Sequence, residues 1–131
     1  MMNAKDAGVT MMVHAENADI ITILTRYYLS QGKTAPVYHY YARPPIAEEE
    51  ATGRAIALAK AADCPLFVVH VSIREAMEAI RNAHNDGWPI FGETCTHYLT
   101  LTTDCLDKPG LREPNTYVPR RCVPRSMWTP S

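Results

Sequence analysis

Two apolar runs in this chain close on a histidine, and each gives way at once to a helix signal. Pro65-Leu66-Phe67-Val68-Val69-His70-Val71-Ser72 carries Leu, Phe and Val with no polar alternation. That pattern predicts a strand buried on both faces, and such strands belong mostly to parallel sheets. Ser72 and Glu75 stand at capping-box spacing, so the next helix is predicted to open there. Val9-Thr10-Met11-Met12-Val13-His14 repeats the grammar. Asn17 is a helix N-cap candidate, and Ile20, Ile21, Ile23, Leu24, Tyr27 and Tyr28 recur at helical spacing up to Gly32.

The remaining segments complete an α/β order. Gly32 to Pro45 reads as a loop, long enough to cover a site. Its Gly32-Lys33-Thr34 is no phosphate loop, because the required upstream glycine is missing and the triplet ends a helix. His39 is read as a loop histidine without a ligand role. Glu48, Glu49 and Glu50 open a further helix, where negative charge suits the dipole. Three consecutive residues cannot share one helix face, so they are read as a solvated first turn rather than a metal cluster. Ala51, Ala55, Leu58, Ala59 and Ala62 are the expected buried stripe. Ile73, Ala76, Met77 and Ile80 mark one face of the helix after His70, with Gly87 as its stop and His84 facing solvent. Trp88 to Thr94 is a third strand. Strand, two helices, strand, helix, strand predicts parallel strands with right-handed crossovers.

The chain has 131 residues, enough for one core, and a net charge of -1. That balance supplies neither a nucleic-acid footprint nor a polybasic membrane patch. No apolar run approaches the ~20 residues of a membrane span, and the first residues carry no signal-peptide core. Cys64, Cys95, Cys105 and Cys122 form no Cys-x-x-Cys pair, which fits reduced thiols in the cytoplasm. Residues 107–131, rich in Pro and Arg, are expected to be irregular.

Two histidines ending parallel strands in matched positions would point into one crevice, at the end where barrel enzymes keep their chemistry. Neutral imidazole is a good ligand for zinc and similar ions. His14 and His70 are therefore the candidate metal ligands.

Val13-His14-Ala15-Glu16-Asn17, Arg43-Pro44-Pro45, Glu50-Ala51, Arg54-Ala55-Ile56, Val69-His70-Val71-Ser72 and Gly92-Glu93-Thr94-Cys95-Thr96-His97-Tyr98-Leu99 together resemble the D-hydantoinase/dihydropyrimidinase family. These are cyclic amidohydrolases of the metal-dependent TIM-barrel superfamily. The resemblance covers roughly residues 5 to 105. It implies that residues 1–106 are a partial (β/α)8 barrel, strands five to seven with their helices. It also implies two divalent metals, usually zinc, bridged by a carboxylated lysine, with His14 and His70 on one of them. The implied reaction opens a hydantoin or dihydropyrimidine ring by a metal-activated hydroxide, in an enzyme expected to be a homo-oligomer. The alternatives are an allantoinase- or dihydroorotase-type amidohydrolase and a non-catalytic dihydropyrimidinase-related binding protein; Ala15-Glu16-Asn17 favours the hydantoinase side.

The departures shape the expectation as much. The family's His-x-His, its bridging lysine and its last aspartate have no counterpart here, and Lys5 lies too close to His14 to be that lysine. No catalytic or substrate-binding residue is carried over. The chain alone is expected to be inactive, since zinc catalysis normally uses at least three protein ligands. Tyr117-Val118 is followed by Pro119-Arg120-Arg121-Cys122 where the family continues differently, which suggests a reading-frame shift near Val118. The flanking DNA would test it.

Overall fold

The computed structural model describes residues 1–102. The expectations for the tail from Asp107 onward, and for Cys105 and Cys122, lie outside the described residues. The described residues divide into two compact units, Met1–Asn17 with Pro45–Cys95, and Ala18–Pro44 with the residues from Thr96 on.

The first unit is built on a parallel sheet. After a short helix α1, Met2–Asp6, come β1, Met11–Val13, then β2, Leu66–Val68, and β3, Ile90–Gly92, in the order β1-β2-β3. Met11, Met12 and Val13 pair with Leu66, Phe67 and Val68, which pair in turn with Ile90, Phe91 and Gly92. Parallel neighbours need a crossover. The long helix α4, Pro45–Ala62, precedes β2, and α5, Arg74–Asn85, joins β2 to β3. Leu66, Val68 and Ile90 pack with Ile56 and Ala59 of α4 and Ile80 and Ala83 of α5. Full burial of each large aliphatic side chain contributes about 1.5–3 kcal/mol.

The strands are shorter than the apolar runs, and one expectation about them is corrected. Among the described residues, the helices that pack on the sheet core do so on one face. On the other, Met12, Phe67 and Phe91 stand side by side in register, with Met12 66% and Phe91 44% exposed. The stripes also turn slightly. On α4, Thr52 and Ile56 are buried while Leu58 is exposed, and on α5 Ala83 is buried while Met77 is exposed. A residue shifted by one position turns by 100° on a helix, and the sheet selects the face. His84 is exposed, as expected, and lies against Phe91 at 5.1 Å between centroids.

In the second unit α2, Ala18–Ser30, packs with α3, Val37–Tyr41, a short helix inside the segment expected to be loop. Aromatic packing overrides the turn residues there: Tyr38 and Tyr41 gather on Tyr28, at 5.3 and 6.4 Å between ring centroids. Gly32, at φ +69, ends α2 by letting the Lys33 N–H reach the Tyr28 carbonyl at 3.0 Å, a Schellman closure. Arg43 Nη1 lies 3.1 Å from His39 Nδ1. No helix among the described residues is long and apolar enough to cross a membrane.

Candidate metal centre

His14 follows β1 directly, and His70 stands two residues past β2. The parallel ladder runs on beyond the strands, with Val69 N–H donating to Val13 C=O at 3.1 Å, so the two segments leave the sheet at one level. His70 then takes φ +47, the left-handed region that few non-glycine residues adopt and in which histidine is enriched. The ring of His70 meets that of His14: Nδ1 of His14 lies 2.7 Å from Nε2 of His70, with the centroids 4.4 Å apart. A strained backbone at such a place is a pointer to function.

The neighbours of the pair are carboxylates. Glu16 Oε2 is 2.9 Å from His14 Nε2. On the other side stands Glu48, 4% exposed in the first turn of α4. It accepts from Ser72 N–H at 2.8 Å and from Ser72 Oγ–H at 2.6 Å. The same turn holds the segment after β1: Asn17 N–H donates to Ala47 C=O at 2.8 Å, and Asn17 Nδ2 to Glu50 Oε2 at 2.7 Å. Arg54 pairs with Glu50 one turn on, at 3.0 Å. The start of α4 thus ties down both segments that carry the histidines.

Two expectations are corrected here. Glu48 is no solvated charge, because Ser72 gives it two donors in place of water; Glu49 alone of the three is fully exposed. Ser72 does not cap the next helix either. Ile73 is the N-cap of α5, with no side-chain cap bond, since the Ser72 hydroxyl is spent on Glu48. The sequence reading gave Glu48 and Ser72 other roles and Glu16 none beyond the resemblance. Only Glu16, two residues from His14, carried a local signal.

Burial, and after it the charge of His14, holds the His70 imidazole below its ordinary value of 6.5; Glu48 and Glu16 act the other way. A neutral ring is the ligating form. Two zinc–nitrogen bonds of about 2.0–2.1 Å at a tetrahedral angle would set the nitrogens about 3.3 Å apart, so the rings, 2.7 Å apart here, would have to open by roughly 0.6 Å to hold an ion between them. The donor set is short: among the described residues no three His, Cys, Asp or Glu side chains are grouped to hold a metal.

No protein-family model matches the chain. It is 49% identical over 110 residues to a D-hydantoinase of Geobacillus stearothermophilus, which covers 84% of this chain and 23% of that protein. An allantoinase of Desulfitobacterium hafniense stands lower, at 38% over 103 residues, 79% of this chain and 23% of that protein. Among solved structures, the dihydropyrimidinase from Brevibacillus agri superimposes with a TM-score of 0.81 at 50% identity, over 83% of this chain and 24% of that one. The chain spans under a quarter of the length of these curated relatives.

Proposed function

The chain belongs to the D-hydantoinase/dihydropyrimidinase family, and from that premise we propose that it is the metal-binding part of an enzyme that opens cyclic amides. Its open three-stranded sheet is a segment of the TIM barrel that the family shares. Water is added across a ring C–N bond, the acyl carbon taking the oxygen and the nitrogen a proton. A hydantoin or a dihydropyrimidine is the substrate class the family points to. The observation that carries the reading is the convergence of His14 Nδ1 and His70 Nε2 on one point at 2.7 Å.

In this reading His14 and His70 supply two donors to one of two divalent ions, zinc being the favoured identity. An ion held there by His14 and His70 would supply Lewis acidity, for a carbonyl and for water. The chain's own residues hold the donors in place: Glu16 at the ring of His14, and Glu48, through Ser72, behind His70. With only these two donors the 131-residue chain binds zinc weakly and turns over no substrate. The allantoinase alternative stands behind, on lower identity. A non-catalytic binding protein has no call for two converging imidazoles. The cysteine spacing, with no Cys-x-x-Cys pair in the sequence, favours a cytoplasmic setting.

A chimera tests the proposal. Residues 5–102 replace the matching segment of the Geobacillus D-hydantoinase, and opening of a 5-substituted hydantoin and of a dihydropyrimidine is assayed with zinc. The chimera is expected to open at least one ring, and His14→Ala or His70→Ala to abolish this. A folded, zinc-loaded chimera without activity on either ring would overturn the proposal.

A further inference from the structure

The geometry points to Glu16 as a positioning residue: its carboxylate holds His14 as the Nε2–H tautomer, so that Nδ1 presents a bare lone pair toward His70. The inference turns on what each atom can offer. An ionised carboxylate only accepts hydrogen bonds, so the 2.9 Å contact between Glu16 Oε2 and His14 Nε2 places the proton on Nε2. A neutral imidazole carries one proton, which leaves Nδ1 as an acceptor. Nδ1 faces His70 Nε2 at 2.7 Å, so when both rings are neutral and no metal is bound His70 donates from its own Nε2. For a neutral ring the opposite arrangement, with His14 Nδ1–H donating to His70, would set a lone pair of His14 against the Glu16 carboxylate; only an imidazolium could donate both ways, which is why the test is run in alkaline solution. The Glu16 side chain is only 12% exposed, so little water is at hand to soften that repulsion.

The two histidines therefore differ in readiness. His14 already presents the bare nitrogen that an ion requires. His70 carries a proton on the facing nitrogen, and that proton must move to Nδ1 or leave before an ion can enter. Carboxylates that hold the far nitrogen of a ligand histidine commonly set its tautomer and basicity. Only the role of the ion rests on the metal-centre reading; the tautomer assignment stands apart from it.

The test is long-range 1H–15N NMR of the histidine rings in the 131-residue chain, with chelator, at a pH about two units above the ordinary imidazole value of about 6.5. His14 is expected to show a protonated Nε2 and a bare Nδ1, and His70 a protonated Nε2. Glu16→Gln, which keeps the shape but can turn a donor toward the ring, and Glu16→Ala are both expected to move the His14 nitrogens toward averaged values. A protonated Nδ1 on His14 in the unsubstituted chain overturns the inference. So do His14 signals unchanged in both variants. Zinc chloride is then added. Zinc is expected to shift the His70 proton to Nδ1 and leave the protonated Nε2 of His14 in place, with affinity falling about 10–100-fold in Glu16→Gln. Rings that ignore zinc while the tautomer result holds overturn the metal reading and leave the Glu16 assignment supported.

Discussion

Ser72 gives both its backbone N–H and its hydroxyl to the two oxygens of one carboxylate, Glu48, at 2.8 and 2.6 Å. Glu48 is buried, so this pairing stands in for its lost water. Hydrogen bonds to a charged group contribute about 1.5–3 kcal/mol. Glu48→Gln offers one acceptor where two donors wait, and a loss of about 2–3 kcal/mol in urea unfolding is expected. Thr52, one turn along α4, provides the contrast. Its buried hydroxyl has no hydrogen-bond partner among the described residues, so Thr52→Val is expected to leave stability unchanged or raised. A loss above about 1 kcal/mol for Thr52→Val would contradict this.

His70 occupies a left-handed backbone position, and that separates backbone from side-chain effects. Glycine enters this region freely and β-branched residues do not. His70→Gly is expected to be more stable than His70→Val by about 1–2 kcal/mol, with both losing the contact to His14. Equal unfolding midpoints would show that the conformation is not held in solution.

Gly92, the last residue of β3, faces Ile80 of α5. A Cβ there would stand 2.9 Å from Ile80 Cδ1 and 3.3 Å from the Val68 carbonyl oxygen. Gly92→Ala is expected to cost about 1–2 kcal/mol by overpacking. Ile80→Val removes the nearest atom, so the double variant should recover part of that loss. Strictly additive effects would place the clash elsewhere.

The lowered proton affinity of His70 makes stability depend on pH. In the unfolded chain its ring takes up a proton near pH 6.5, and in the folded chain only at lower pH. Between the two values the unfolded state binds more protons, so stability falls as pH drops through this window and is complete above it. Urea midpoints between about pH 7.5 and 5.5 are expected to fall more steeply for the unsubstituted chain than for His70→Asn. Parallel slopes would remove His70 as the source.

Among the described residues, Met12, Phe67 and Phe91 form an apolar row on the sheet face opposite the helix-packed core, with His84 against Phe91 at its edge, and β1 and β3 each pair on one side only. Unpaired edges and exposed apolar patches favour association. Sedimentation velocity is expected to show concentration-dependent association, reduced in Met12→Lys and Phe91→Lys. A sharp, monomeric, concentration-independent melting transition would count against it.

The unalternating runs before His14 and His70 sufficed to predict parallel strands, crossover helices and two strand-end histidines, because parallel neighbours must be joined by crossovers and their helix-facing residues must be apolar; the same runs gave no sign that Met12 and Phe91 would stand exposed. Helix faces were legible to within one position, since an alanine-rich helix such as α4 offers several small faces and only the sheet selects among them. Three things were decided by tertiary structure alone. Glu48 turned inward because its partner, Ser72, lies 24 residues away. The hydroxyl of Ser72 left its helix for the same reason. His70 adopted a backbone conformation that no local pattern announces, and that turn sets its ring on His14. Periodicity reports which side of an element is dry; where a polar group finds its partner depends on contacts that form only once distant segments have folded together.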